Sequence, residues 1–265
     1  MIKAKIHKWC VWSGLFALVL WLGGFWFLSG FMPPPSPNNT AEEFKAIFTE
    51  DVNMLRLGLL LTLWGSAFFG PFIAVVSVQM KRIEGTYGPL TYTQLALGAI
   101  LVLEFIIPML ILQAAAYRPE RSAEEIQSLN DVAWFLFIGL VSTACLEILV
   151  VGIAILSDDR PDPVFPRWVG YLSLWAALLI VPGGFCVYFK TGPLAWNGIF
   201  SWWVPVTVFC TWMGVMMWQM SKNVDRGLFQ DEASDTPGLV TQEELETLRR
   251  EVSDLRDTLA GSGRA

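Results

Sequence analysis

The sequence predicts an all-α, multi-pass integral membrane protein, and three observations point to that class. Hydrophobic residues make up 54% of the chain and charged residues only 16%, whereas a soluble domain carries about 25% charged residues. The apolar residues are gathered into six long runs, each meeting the requirement of about 20 residues for a transmembrane helix. A soluble core formed from 265 residues is too small to bury six such runs.

The six runs predict spans over approximately 10–31, 55–80, 93–116, 133–156, 168–189 and 199–220. The first run follows three lysines, as the apolar part of a signal peptide does. It is longer than such a segment, however, and it ends in Pro33-Pro34-Pro35 without a small-residue cleavage site. We therefore expect it to be retained as a span.

Basic residues predict the orientation of the spans. One side of a six-span bundle carries Lys3, Lys5, Lys8, Lys81, Arg82, Arg160, Arg167, Lys222 and Arg226. The loops on the other side carry fewer, namely Lys45, Arg118, Arg121 and Lys190. Because basic residues favour the cytoplasmic side, we expect both termini to be cytoplasmic and the protein to lie in a bacterial inner membrane.

Two similar segments precede the second and fourth spans. Thr40 with Glu43, and Ser122 with Glu125, have the spacing of a capping box that begins a helix. The resemblance of TAEEFKAIFTEDV to SAEEIQSLNDV is typical of repeated helical hairpins, which occur in transporters. Two unrelated capping boxes would give the same pattern.

The composition divides the chain into a membrane domain over 1–222, an acidic linker over 223–240 and a heptad-patterned helix over 241–260. The heptad positions are Leu245, Leu248, Val252, Leu255 and Leu259, and the flanking charges are Glu244, Arg249, Glu251 and Arg256. This pattern favours a parallel homo-oligomer. Two heptads are marginally stable alone, so we expect association where the membrane domain already holds chains together; a solvated helix, or one bound to another protein, is the alternative.

Two glutamates lie in the middle of predicted spans. Glu104 and Glu147 are each about 14–17 Å from the inner edge at a helical rise of 1.5 Å per residue, so they are expected at matching depth. Charge at that depth is costly, and no Lys, Arg or His lies at mid-depth in any predicted span. We expect the acids to be protonated, to share a proton or to bind a cation. The alternative is a structural role in which they hydrogen-bond across a helix interface.

Small polar residues and prolines surround this pair in the sequence. Thr143 and Ser142 complete the candidate proton- or cation-binding set. Prolines interrupt backbone hydrogen bonding in helices, and the candidate helix breaks are Pro71, Pro108, Pro182 and Pro205. Pro108 leaves the carbonyl of Glu104 without its helical donor, which makes that oxygen a candidate ligand.

The remaining patterns limit the function without naming it. The chain has one histidine and four scattered cysteines and no phosphate-binding or zinc-binding motif, so we expect no cofactor, no metal and no nucleic-acid partner. The leading hypothesis is a small proton- or cation-coupled transporter or channel-like protein. The alternative is a non-catalytic scaffold or accessory subunit that docks a membrane partner and oligomerises through its tail. A third hypothesis, an enzyme acting on an apolar substrate, has few polar groups to support it.

Overall fold

The computed structural model describes residues 2–228 and, beyond them, only Thr247 and Arg249, which are helical. Within those described residues every regular element is a helix, as the sequence predicts. The heptad helix and most of the acidic linker lie outside the described residues, so self-association through 241–260 stays a prediction.

Six helices are long and apolar enough to cross a membrane, which confirms the predicted number. In chain order, spans 1 to 6 are Ala4–Leu28, Val52–Glu84, Pro89–Tyr117, Ala123–Leu156, Arg167–Tyr188 and Ile199–Asp225. Most extend past the apolar runs because polar residues at their ends are also helical. Span 4 starts ten residues before the predicted start, since the helix capped by Ser122 runs directly into it.

The spans form a closed ring in sequence order. Each span packs against the next one along the chain, and span 6 packs against span 1. Lys8 of span 1 and Asp225 of span 6 form an ion pair of 2.5 Å. We call the end of the bundle that contains this pair the proximal end, and the opposite end the distal end. Because the ring closes, all six spans border one interior.

The distal end is covered by a short helix, Ala41–Thr49, and by the start of span 4. Thr40 and Glu43 form both bonds of the expected capping box. The two helices pack together, and Lys45 donates from Nζ to the carbonyl of Arg121 at 2.8 Å. Gln127 donates to the carbonyl of Asn39 at 3.2 Å. These bonds join the two similar segments that precede spans 2 and 4.

Four of the six spans change helix type along their length, and a fifth, span 2, is interrupted. Span 2 is divided at Phe68 into Val52–Ala67 and Phe69–Glu84. Span 4 contains the non-helical residues Leu140 and Val141. The other irregular segments are the π-helices Gly23–Leu28, Phe135–Gly139 and Ile199–Trp203 and the 3-10 helix Val181–Tyr188. Span 3 is an uninterrupted α-helix.

Three of the four candidate helix-breaking prolines lie near an irregular segment, and the fourth does not. Pro71 follows the division of span 2 by three residues, Pro182 begins the 3-10 segment, and Pro205 follows the π-helix of span 6. Pro108, by contrast, lies inside the continuous helix of span 3 and does not break it. The division of span 4 at Leu140 occurs without a proline, so proline position alone did not predict it.

Candidate functional site

Glu147 of span 4 is held inside the bundle by a neutral partner. Its side chain is 1% exposed, and Gln94 of span 3 donates from Nε2 to its Oε1 at 2.9 Å. Ser77 of span 2 donates in turn to the amide oxygen of Gln94. Three spans therefore meet at this carboxyl. Its second oxygen, Oε2, is buried and has no hydrogen-bond partner among the described residues.

Gly98 provides the space that the carboxyl of Glu147 occupies. A Cβ atom at this position of span 3 would lie 3.1 Å from Oε1 of Glu147 and 2.5 Å from Cγ2 of Ile73. The second distance is too short for a real contact, so Ile73 or the helix would have to move. Glycine thus allows spans 2, 3 and 4 to approach closely at the level of the acid.

Glu104 of span 3 has a different partner from the facing helix. Thr143 of span 4 donates its hydroxyl proton to Oε1 of Glu104. The glutamate side chain is 7% exposed and forms part of the wall of a cavity. Spans 3 and 4 are thus joined by two side-chain hydrogen bonds, each pairing a glutamate with a neutral polar group.

The two carboxyls are staggered along the bundle, and the expectation of matching depth is wrong. Thr143, which contacts Glu104, precedes Glu147 by four residues on span 4, which is roughly 6 Å along the helix axis. Span 3 also begins at Pro89 rather than near Thr93, so Glu104 lies further from the proximal end than the apolar run indicates. Glu147 is therefore the proximal acid of the pair, and Glu104 is the one at the cavity.

The cavity has a volume of about 110 Å³ and lies inside the ring. Every span contributes to its wall, and of the described residues that form it, Glu104 alone is charged. Most of the wall is apolar, and much of it is aromatic: Trp21, Phe69, Phe105, Phe137, Trp202 and Phe209.

The irregular helix segments converge on this cavity. Its wall includes the non-helical Leu140 and Val141, and residues from two of the π-helices, among them Phe137 and Ser201. Phe69 comes directly after the division of span 2. Non-helical backbone at membrane depth is tolerated where it is buried in protein or borders a cavity, and π-turns are frequent at functional sites. Several of the helix irregularities therefore lie at or next to the cavity wall.

The candidate residues from the sequence are only partly brought together. Glu104, Thr143 and Glu147 lie in one region, whereas Ser142 is exposed and does not border the cavity. Of the four prolines, Pro205 alone is part of the wall. Sequence reasoning missed Gln94 and Ser77. A glutamine within an apolar span is itself an intramembrane polar group, and that signal was available.

Within residues 2–228, no group of three or more His, Cys, Asp or Glu side chains is placed to hold a metal ion. Comparison of the chain with protein-family models, curated proteins and solved structures finds no match.

Proposed function

We propose that the protein is a small proton- or cation-coupled secondary transporter or channel-like protein, in which Glu104 and Glu147 bind the coupling ion. One observation carries the proposal. Glu147 has a buried carboxyl with an unbonded oxygen, and Thr143, one helical turn before it, bonds a second carboxyl, Glu104, that borders a cavity shared by all six spans. Intramembrane acids in such positions are typical of ion pathways and proton relays.

The small number of hydrogen-bond donors to the two carboxyls supports this proposal. An ionised carboxylate has about four acceptor sites, and Gln94 and Thr143 each provide one neutral donor. Because a buried charge without a partner is strongly unfavourable, each acid is most stable with a proton or a cation bound. Repeated uptake and release of that ion is the step on which coupled transport depends.

A purely structural role for the same bonds is the competing explanation. Polar contacts across a helix interface stabilise membrane bundles, and both bonds join spans 3 and 4. A purely structural role does not explain two features, namely the unbonded Oε2 of Glu147 and the position of Glu104 at the cavity wall. The two explanations differ in what substitution of glutamine would do.

The test is ion flux through the purified full-length chain in liposomes. Flux of protons, and in parallel of Na⁺ and K⁺, is followed with entrapped dyes after a membrane potential is imposed. We expect flux in the wild type, its loss in Glu104→Gln and Glu147→Gln, and no change in Glu42→Gln. Glu42 is exposed on the distal helix, so this variant makes the same chemical change away from the site.

Two outcomes would reject the proposal. One is a wild-type protein that moves none of these ions faster than protein-free liposomes do. The other is flux that survives in both glutamine variants, provided that they elute as folded protein. In the second case the glutamates would act as structural contacts between spans 3 and 4.

A further inference from the structure

The wall of the cavity has a composition that selects for positive charge. Six aromatic side chains border it, and the π-face of an aromatic ring attracts cations. Among the described residues that form the wall, Glu104 is the charged one, and none is Lys, Arg or His. Thr143 bonds Oε1 of this carboxyl, which leaves Oε2 to pair with a bound group.

Several ligand classes do not fit this wall. An anion would meet a carboxyl and the negative faces of aromatic rings. A sugar or an amino acid needs several hydrogen-bond donors and acceptors. In the wall, Ser201 already donates to the carbonyl of Leu194 at 2.8 Å. The indole N–H groups of Trp21 and Trp202, which have no partner among the described residues, are donors only. A bare metal cation requires several oxygen ligands, and within residues 2–228 the wall offers one carboxyl for that purpose.

The size of the cavity also limits its ligand. An engineered cavity of about 150 Å³ in another protein binds benzene. By the same comparison, a cavity of about 110 Å³ encloses roughly four or five non-hydrogen atoms. The cavity is partly open, so a longer chain on the enclosed group can extend out of it. A trimethylammonium group with one further carbon has this size, and it combines positive charge with an apolar surface.

We propose that the cavity binds a small alkylammonium group, with Glu104 as its counter-ion and the surrounding aromatic rings as a cation–π cage. This inference rests on the proposed function, because it names the substrate class of the same site. The ion pair requires an ionised Glu104. When the acid is protonated beforehand, its O–H bond breaks, the proton passes to solution, and the carboxylate pairs with the ammonium group.

Three other titratable side chains are near enough to affect this exchange. Glu147 and Cys145 belong to span 4, and Cys210 belongs to the part of span 6 that borders the cavity. The described residues of spans 1, 2 and 5 that form the wall include no titratable side chain. The charged group nearest to this exchange is thus a second carboxyl, Glu147, and not a basic side chain. Its negative charge, when ionised, would oppose ionisation of Glu104.

Choline and 3,3-dimethylbutan-1-ol are the probes, because they differ only in a positively charged nitrogen that replaces a carbon. In each probe the branched head and one further carbon would occupy the cavity, and the hydroxymethyl end would extend through its open side. Binding to the full-length chain in lipid nanodiscs is measured by titration calorimetry. Two buffers of different ionisation enthalpy report the number of protons released. We expect choline to bind with proton release and the alcohol to bind more weakly and without it.

Variants then assign the charge partner. Glu104→Gln is expected to weaken choline binding by roughly 30-fold or more, the effect of removing a buried charge partner, and to leave binding of the alcohol unchanged. Glu104→Asp keeps the charge and is expected to retain part of the affinity, and Glu42→Gln is expected to match the wild type. If Glu104→Gln does not fold, the affinities of the wild type for choline and for the alcohol still show whether the cavity prefers a positively charged ligand.

The inference is overturned if choline does not bind, if the alcohol binds as tightly as choline, or if Glu104→Gln leaves choline affinity unchanged. Its failure is separable from failure of the proposed function. Ion flux in choline-free liposomes that depends on the carboxyls, together with absent choline binding, would reject only the ligand class. Absent flux together with choline binding that depends on Glu104 would reject only coupled transport.

Discussion

Gln94 and Glu147 are 53 residues apart in the chain, and a hydrogen bond of 2.9 Å joins their side chains in the interior of the bundle. This bond fixes the pairing of spans 3 and 4 at one level. The amide of Gln94 has its oxygen occupied by Ser77, so its NH₂ group is the end available to the acid. The orientation of this amide therefore follows from span 2.

Removal of Gln94 should destabilise the bundle more than removal of both partners. Gln94→Leu leaves Oε1 of Glu147 buried without its donor, and we expect a loss of about 1–3 kcal/mol in the free energy of unfolding. The double variant Gln94→Leu, Glu147→Met leaves no unpaired acceptor there and should recover part of that loss. Denaturant unfolding in mild detergent measures both. A double variant no more stable than the single one would contradict this account.

Gly98 should tolerate no added methyl group. In Gly98→Ala the new Cβ would lie 2.5 Å from Ile73 and 3.1 Å from the carboxyl of Glu147, so we expect a loss of about 1–3 kcal/mol from overpacking. Gly214 of span 6 is the matched control, since a Cβ there has no neighbour within 4 Å. Gly214→Ala should be neutral or stabilising by up to about 1 kcal/mol. Equal effects of the two substitutions would show that close packing at Gly98 is unimportant.

Hydropathy was sufficient to predict the number of spans, because lipid exposure requires long apolar runs and nothing else in the chain resembles them. It could not predict the ends of the spans, since Glu84 is polar yet still helical and also accepts bonds from the backbone of Leu90 and Thr91. It could not predict the break at Leu140 either. That break has no proline, and the segment directly before it is a π-helix.

Part of the candidate site followed from residue type alone. A charge in an apolar run is conspicuous, so Glu104 and Glu147 were found, and Thr143 followed from its distance of one turn from Glu147. The stagger of the acids depends on the register between spans 3 and 4, which is set by close packing at Gly98 and by the bond from Gln94. Contacts between distant segments set these features, and one sequence does not display them.

The two acids should react at different rates with an apolar carbodiimide, which modifies protonated carboxyls. Glu104 borders the cavity and is 7% exposed, whereas Glu147 is 1% exposed, so we expect Glu104 to be labelled first and the yield to fall as the pH rises. Mass spectrometry of the protein in lipid locates the label.

Two hydroxyl variants test whether the reactivity of Glu104 depends on its contact with Thr143. Thr143→Val removes the donor to Oε1 and should increase labelling of Glu104. Ser142→Ala should have no effect, because Ser142 is exposed and does not border the cavity. Preferential labelling of Glu147, or absence of labelling at every pH, would contradict the assigned position of the cavity.

Asp158, in the proximal loop between spans 4 and 5, should make stability depend on pH. Arg160 donates from Nε and Nη2 to the two carboxylate oxygens at 2.7 Å each, and Val164 donates its backbone N–H at 2.9 Å. The hydrogen bonds from Arg160 hold the pKa of Asp158 below its usual value. Because the pKa is lower in the folded state, this stabilisation is present above the unfolded-state pKa and is lost as the pH falls through the folded-state value.

Asp158→Asn should therefore cost about 1–3 kcal/mol in unfolding free energy at neutral pH, and its difference from the wild type should shrink in acid as Asp158 itself becomes protonated. Asp162 is the control, since it is exposed and lies 4.0 Å from Arg226, and surface pairs of this kind contribute little. Unfolding curves across a pH series compare the three proteins. A difference between Asp158→Asn and the wild type that stayed constant into strong acid would contradict this account, because it would show that the ionised carboxylate is not the source of the stabilisation.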